Sequence, residues 1–568
     1  MQHTFSGSDR SKHLQEMEQV EYDLLVIGGG ITGAGIALDA QTRGIQTALI
    51  EMQDFAAGTS SRSTKLVHGG LRYLKQFEVA MVAEVGKERA IVYENGPHVT
   101  TPEWMILPIY VDGTFGKFST SMGLRVYDFL AGVKKKERRR MLNVQETLSK
   151  LPILKKEGLK GAGLYVEYRT DDARLTLEVL KQAVYYGARA VNYTKADKFI
   201  YSNNQIIGVE TVDQLTGEVY AIYARKVINA TGPWVDTLRE KDQSKEGKTL
   251  HLTKGIHLVI DDKRFPLQHS VYFDTTDGRM IFAIPRNGKT YVGTTDTDYT
   301  GDIAHPRMTD QDRGYLLQAV NSMFPQLHLT ADDVESSWTG LRPLIHQEGK
   351  DPSQISRKDE TFHSTSGLIT IAGGKLTGYR RMAETIVNSV AKQLSAMGHG
   401  PYPASKTKHM PISGGSVGGS DRYHDYVEDK VLEGQRLGLS ATDARILVLR
   451  YGSNIDQLFV GVDTYHQEAE EYGLPLSLIL SVVYSIEHEM VVCPVDFFVR
   501  RTGALYFDMS FVQMWKVPVI DYMAQKLNWT DEQRQAYTSE LDQEIHAAIT
   551  PIPIPGGDSA ISLIPNPA

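Results

Sequence analysis

Apolar residues along this chain come first in short runs that stop at glycine, and only later with helical spacing. Tyr22 to Ile27 (YDLLVI) is a short, mainly apolar run ending in Gly28, Gly29 and Gly30, which predicts a buried parallel strand feeding a tight turn. Ile31 to Arg43 carries helix-compatible residues with Gly44 as a stop, and Thr47 to Glu51 (TALIE) reads as a second strand. Together they predict a β-α-β unit whose right-handed crossover brings the turn and the end of the second strand side by side. Lys226 to Gly232 (KVINATG) and Leu368 to Gly374 (LITIAGG) read as further strands ending in small residues, and Tyr379 to Leu394 has helical periodicity.

Between these nucleotide-domain segments, Ser270 to Pro285 and Lys289 to Thr294 read as hairpin strands, with Asp277-Gly278 as a turn. An antiparallel sheet inserted into the nucleotide domain is expected. Ala396 to Ser420 is rich in Gly, Pro and Ser without periodicity and predicts a boundary. Helical spacing follows around Asp425 to Tyr451, Ile455 to Tyr472 and Thr530 to Ile549, and the Pro-rich tail to Ala568 is expected to be loosely ordered. The expected class is α/β: a doubly wound (Rossmann-like) nucleotide domain interleaved with an antiparallel β-sheet domain over residues 20–395, a linker at 396–424, an all-α region at 425–550 and a Pro-rich tail at 551–568.

Composition narrows the function. With 568 residues, 41% apolar and 23% charged, the chain is long enough for two or three soluble domains. Its 61 basic and 69 acidic side chains leave a charge of -8, which argues against a nucleic-acid binder. Cys493 is the single cysteine, so an internal disulfide and a thiolate cluster are excluded. The first twenty residues contain no secretion-type apolar core, which predicts a cytoplasmic protein. Leu474 to Ile486 falls short of the ~18 apolar residues that span a bilayer, so any membrane contact is expected at the surface.

The turn GGGITG satisfies G-x-G-x-x-G at Gly28, Gly30 and Gly33, and Glu51 follows at the end of the next strand. Two glycines let the backbone approach a pyrophosphate, the third packs helix on strand, and the helix N-terminus offers N–H groups to negative charge. Glu51 can accept from a ribose hydroxyl. The flanking strand, helix and carboxylate favour a dinucleotide over an ordinary glycine-rich turn. The chain then enters Met52 to Lys75, dense in Ser, Thr and Gly, instead of a nicotinamide domain's next crossover helix, which points to a flavin. Between Asp54 and Glu78 there is no carboxylate, while Arg62, Lys65, His68, Arg72 and Lys75 gather around Gly69 and Gly70. Such a set suits an anion.

Five stretches, EMQDFAAGTSSRSTKLVHGGLRYL, NATGPWVD, GTTDTDY, SSWTGLRPL and AGGKLTGYRRMAE, resemble the FAD-dependent glycerol-3-phosphate dehydrogenases and the related glycerophosphate oxidases. The resemblance covers roughly residues 20 to 550. It implies that Gly28, Gly30, Gly33 and Glu51 bind the ADP half of FAD. Thr59, Ser60 and Ser61 would lie near the pyrophosphate, Ala230 and Gly232 beside the cofactor, and Gly373 to Thr377, including Gly374, Leu376 and Thr377, over the isoalloxazine. Around a three-carbon phosphate ester it places His68, Arg72, Tyr73, Arg342, Arg357 and Lys375. The expected roles are Arg72, Tyr73 and Arg357 on the phosphate, Arg342 and Lys375 on the developing alkoxide or ketone oxygen, and His68 as base in the oxidation of sn-glycerol 3-phosphate. A structural histidine packed on the flavin is the competing reading of His68.

The resemblance also bears on partners. Family dehydrogenases are peripheral membrane proteins that reduce quinone, whereas the oxidases reduce O2 and carry a long insertion between the arginine of GLRPL and the next SR motif. Only fourteen residues separate Arg342 from Arg357 here, which favours a dehydrogenase. Tyr127 to Val133 followed by Lys134 to Arg140 (KKKERRR) is a candidate membrane-surface anchor, with a solvated charged face as the plain alternative. Asp171 and Asp172 read as structural, and no metal-ligand spacing is seen. A flavin binder without catalysis is disfavoured by the intact cationic set. The oligomeric state, a homodimer included, stays open.

Overall fold

The computed structural model describes residues 5–68, 79–111, 113, 137–347 and 359–553. The strand Glu21–Ile27 lies between two parallel neighbours, pairing Leu24 with Thr47 and Ile27 with Ile50 on one side, and Ile27 with Asn229 on the other. The sheet continues to Arg189–Val191 at one edge and Ile369–Ala372 at the other, with Glu360–His363 added antiparallel. Helices Ile31–Thr42, Asp172–Tyr185 and Tyr379–Ala396 pack with this sheet in one apolar core that includes Leu24, Val26, Leu175, Leu180 and Ile386. Strands covered on both faces cannot alternate polar and apolar residues, which is why these read as unbroken apolar runs. Each such buried Leu, Ile or Val contributes about 1.5–3 kcal/mol.

A second sheet is built from chain segments that alternate with those of the first. Its strands include Leu66–Val67, Thr100–Tyr110, Leu159–Thr170, Lys248–Asp261, Met280–Arg286 and Val334–Gln347. The expected hairpin is present, with Ser270–Asp274 antiparallel to Met280–Arg286 and Gly278 at φ +79° in the turn. The sheet is not antiparallel throughout: Ser270–Asp274 runs parallel to Thr100–Tyr110, because strands far apart in sequence meet there and no hairpin dictates direction. Along Lys248–Asp261, Ile256, Leu258 and Ile260 face a core with the helix Asp310–Met323, while Val259 faces the C-terminal helices. That period of two is the pleat itself.

Residues 397–422 carry only a short 3-10 turn, Thr407–His409, before the C-terminal helices begin at Tyr423. The stretch expected as helical from Asp425 to Tyr451 is two helices, Tyr423–Arg436 and Ala441–Tyr451. Gly438 at φ +99° breaks the first, and Ser440 Oγ accepts the Asp443 N–H at 3.0 Å to start the second. Leu476–His488 is wedged among the other C-terminal helices and the second sheet, through Ile479 and Val482 on one side and Leu480 and Tyr484 on another. Among the described residues no helix is long and apolar enough to cross a membrane. Tyr127 to Lys136 and Ile554 to Ala568 lie outside the described residues, and with them most of the anchor and most of the tail. Ile552 lies within them, and its N–H donates to Met308 O at 2.8 Å.

Candidate functional site

The glycine turn forms the floor of a cavity of about 470 Å³, lined by Gly28, Gly30, Glu51, Thr59, Ser60, Ala230, Gly232 and Gly374 among others. Gly28 sits at φ +116°, and a Cβ there would come within 2.5 Å of Ala230 O. A Cβ on Gly33 would meet Gly28 O at 1.9 Å, so the third glycine lets the helix Ile31–Thr42 close onto the turn without itself lining the cavity. Ser60 Oγ accepts the Ile31 N–H at 2.9 Å, giving that helix a cap from another loop. Glu51 accepts from the N–H groups of Gly29 at 2.6 Å and Gln53 at 2.9 Å. Burial pushes its carboxyl up, and these two N–H groups pull back the other way.

This backbone-lined cradle, with a carboxylate at the end of the second strand and free helix N–H groups at its floor, fits the ADP half of a dinucleotide. Thr59 and Ser60 line it as expected. Ser61 is buried and lines neither this cavity nor the next; its carbonyl accepts Lys65 Nζ at 2.8 Å, and its Oγ has no hydrogen-bond partner among the described residues.

Thr59, Ser63, Pro343 and Gly374 to Leu376 also line a second chamber of about 460 Å³, so the two spaces adjoin. His68, Arg342, Lys375 and Thr377 all border this chamber. Residues far apart in sequence thus meet: His68 beyond the end of Leu66–Val67, Arg342 on Val334–Gln347, and Lys375 in the turn entering Tyr379–Ala396. Thr377 Oγ1 donates to His68 O at 3.2 Å and ties two of these segments together. Arg72, Tyr73 and Arg357 lie outside the described residues.

Arg342 is held as a fork. Nη1 donates to Thr295 O at 3.1 Å and to Asp296 Oδ1 at 3.2 Å, and Nη2 donates to Thr294 Oγ1 at 3.1 Å. Antiparallel pairing sets Gly255 opposite Gly340, and a Cβ on Gly255 would meet Arg342 Nη2 at 2.6 Å. The missing side chain therefore makes room for the guanidinium. The GTTDTDY stretch supplies these partners.

Two histidines in the chamber are neutral. Burial, then Lys375 and Arg89, hold His68 down to about 3. His257, which the sequence reading passed over, is held well below its usual range by burial, then by Arg342 and Lys65. Its ring stacks on Trp338 at 4.6 Å and Nε2 lies 3.1 Å from Thr64 Oγ1, while Nδ1 is buried with no hydrogen-bond partner among the described residues. A polar residue inside the apolar run GIHLVI was the signal that could have found it. Asp171 and Asp172 do act structurally. Asp171 caps Asp172–Tyr185, and Asp172 holds Lys65 Nζ at 2.6 Å and Ser63 Oγ at 2.7 Å beneath the chamber. A larger cleft of about 1040 Å³, beside the helix Asp531–Ile549, contains none of the expected site residues, so size alone would misplace the site.

Comparison with known proteins agrees with this geometry. Residues 23–380 match the family of FAD dependent oxidoreductases, and residues 405–534 match the C-terminal domain of alpha-glycerophosphate oxidase. The chain is 60% identical over 552 residues, 97% of its length and 100% of the relative's, to the aerobic glycerol-3-phosphate dehydrogenase of Bacillus subtilis (strain 168). It is 57% identical over 544 residues, 95% of its length and 97% of the relative's, to that of Staphylococcus aureus (strain USA300). The crystal structure of the glycerol-3-phosphate dehydrogenase from Bacillus halodurans complexed with FAD superposes with a TM-score of 0.85 at 52% identity, covering 96% of this chain and 99% of that one.

Proposed function

The chain belongs to the FAD-dependent oxidoreductases, in the group of the aerobic glycerol-3-phosphate dehydrogenases, and we propose on that footing that it oxidises the C2 hydroxyl of sn-glycerol 3-phosphate to give dihydroxyacetone phosphate. One observation carries the reading: Arg342, Lys375 and the neutral His68 line a single chamber that adjoins the dinucleotide crevice. A phosphoester carries nearly two negative charges and charge also grows on the C2 oxygen, so a chamber holding a fork and a point cation suits this substrate by charge and geometry. The test is anaerobic titration with sn-glycerol 3-phosphate. Bleaching of the yellow colour is expected, and a protein that stays yellow at millimolar substrate overturns the assignment.

When bound, the flavin supplies the two-electron acceptor for the hydride that leaves C2. Arg72, Tyr73 and Arg357 are assigned to the phosphate. Arg342, aligned by Thr294, Thr295 and Asp296, and Lys375 stabilise the negative charge that grows on the C2 oxygen as its proton departs. His68 takes that proton on a ring nitrogen. Burial, with Lys375 and Arg89 adding to it, keeps it unprotonated and ready, and the arriving dianion counters the cations, moving its affinity for protons back toward the working pH. His257 Nδ1 is the second candidate for the same step, favoured by its buried, unbonded ring nitrogen on the Arg342 side. Single His68→Ala and His257→Ala variants separate the two: the base is the one whose loss removes the acid limb of the kcat/KM profile.

For the second half of the cycle we assign a quinone as acceptor and a membrane surface as the place of work. The short Arg342 to Arg357 spacing supports the first, and the exposed Arg138 and Arg140 that end the basic run support the second. Quinone-analogue reduction outpacing peroxide formation, and salt-sensitive flotation with anionic vesicles, are the expected results. Peroxide formed at the full rate of turnover in air would favour an oxidase instead.

A further inference from the structure

The loop that follows the second strand grips the dinucleotide turn from several sides. Glu51 accepts the Gly29 N–H, the Ala56 N–H donates to Gly29 O at 3.1 Å, and the Phe55 ring lies 2.7 Å from where a Gly29 Cβ would be. Within this loop Asp54 is fully buried and points the other way, into the C-terminal helices. Its Oδ2 accepts from Arg500 Nε and from Arg501 Nη1 at 2.6 Å, and its Oδ1 accepts from Arg501 Nη2 at 2.9 Å and Asn192 Nδ2 at 3.0 Å. Both arginines belong to the π-helical turn Asp496–Arg501, a rare conformation that concentrates at functional positions. The pair is fastened from behind, Arg501 Nη2 to Glu489 O at 2.7 Å and Arg500 Nη2 to Asp496 Oδ1 at 2.6 Å. Burial alone would push the Asp54 carboxyl up, but Arg501 and Arg500 override it and hold it well below the usual carboxylate range.

We propose that Arg500 and Arg501, acting through Asp54, are positioning residues for the cofactor: they hold the Glu51–Ala56 loop against Gly29, so that the C-terminal helices set how tightly the adenosine side of FAD is bound. Neither arginine lines the crevice. Their effect passes through a loop that touches the glycine turn at its N–H, its carbonyl and its Cα, which leaves little slack between the guanidinium groups and the Glu51 carboxylate. Removing one partner from a buried ion cluster leaves the other charges uncompensated, and that penalty falls on the loop that carries Asp54. The inference rests on the assignment of FAD to the crevice, and wild-type binding of FAD by the apoprotein tests that assignment separately.

The experiment titrates FAD into apoprotein of the full chain, read by quenching of flavin fluorescence, with the melting temperature of each apoprotein recorded alongside. Asp54→Asn and Arg501→Gln are expected to raise the Kd for FAD about tenfold or more, and Arg501→Lys by less. The control is Lys181→Gln, which breaks the same buried junction at Glu178 and Glu489 without touching Asp54. It should lower the melting temperature while leaving the Kd for FAD within about twofold of wild type. The proposal is overturned if Asp54→Asn binds FAD within twofold of wild type, or if Lys181→Gln weakens FAD as much as Asp54→Asn does at an equal loss of melting temperature. Should Asp54→Asn and Arg501→Gln both fail to fold, Arg500→Lys decides: normal FAD affinity there overturns the proposal equally.

Discussion

The two adjoining chambers are built on opposite plans. The dinucleotide crevice is made of backbone: glycines that leave no Cβ, N–H groups at a helix start, and one carboxylate fixed by two N–H donors. The chamber beside it is made of side chains from distant segments, among them Arg342, which Thr294, Thr295 and Asp296 aim. Backbone sites tolerate no added atom, whereas side-chain sites lose function in proportion to the charge or alignment removed. Substitutions in the first should therefore abolish cofactor binding, and substitutions in the second should spare the cofactor while impairing the reaction.

The largest effect is expected from Gly33→Ala. The new methyl would stand 1.9 Å from Gly28 O, and the rigid turn can relieve that only by moving the helix off the strand. We expect purified protein without flavin absorbance, and several degrees of lost thermal stability, consistent with an overpacking cost of about 1–3 kcal/mol or more. Full flavin content would break the contrast between the chambers. Next comes Arg342→Ala, which should leave flavin content intact and lower kcat/KM by about a thousandfold, equivalent to about 4 kcal/mol of transition-state stabilisation. Loss of flavin from this variant would mean that the chambers are not separable.

That contrast also explains what could be read from the sequence. The crevice was legible because its parts are contiguous: strand, glycine turn, helix and Glu51 follow one another, and local rules fix their geometry. That Arg342 and Lys375 share a chamber with His68 was legible only through resemblance to a family, since nothing in the spacing of His68, Arg342 and Lys375 says that separate segments will bring them together. His257 was missed because pairing of Lys248–Asp261 with Val334–Gln347, which sets it opposite Trp338, is a long-range register that no local pattern announces. The parallel pairing of Ser270–Asp274 with Thr100–Tyr110 was hidden in the same way.

Protonation gives a graded effect. His68 and His98 are both held down to about 3 by burial first, with Lys375 and Arg89 adding to it at His68 and Arg174 and Lys181 at His98. An unfolded chain binds a proton on each near pH 6.5 while the folded chain does not, so the unfolded state gains protons as the pH falls. Folding stability should accordingly be fully present above about pH 6.5 and decline toward pH 4, by up to about 1.4 kcal/mol per pH unit for each histidine. Chemical denaturation of the holoenzyme at a series of pH values checks this. Replacing His98, which lies outside both chambers, with Gln should flatten the slope without changing the pH profile of kcat/KM.

The finest test lies on the wall the chambers share. Thr59 lines both, and its Oγ1 donates to Leu341 O at 2.8 Å, joining the turn Thr59–Ser61 to the strand that carries Arg342. Thr59→Val keeps the volume and removes that one bond, worth about 1 kcal/mol. If the two chambers are separate in function, the loss should appear in one constant alone, the Kd for FAD or the KM for the phosphoester. Because the bond ties a backbone-built wall to a side-chain-built one, the expected result is a change of about two- to fivefold in both together. A shift in the Kd for FAD with an unaltered KM would show that the shared wall serves the cofactor only, and that Arg342 takes its alignment from Thr294, Thr295 and Asp296 without help from the crevice.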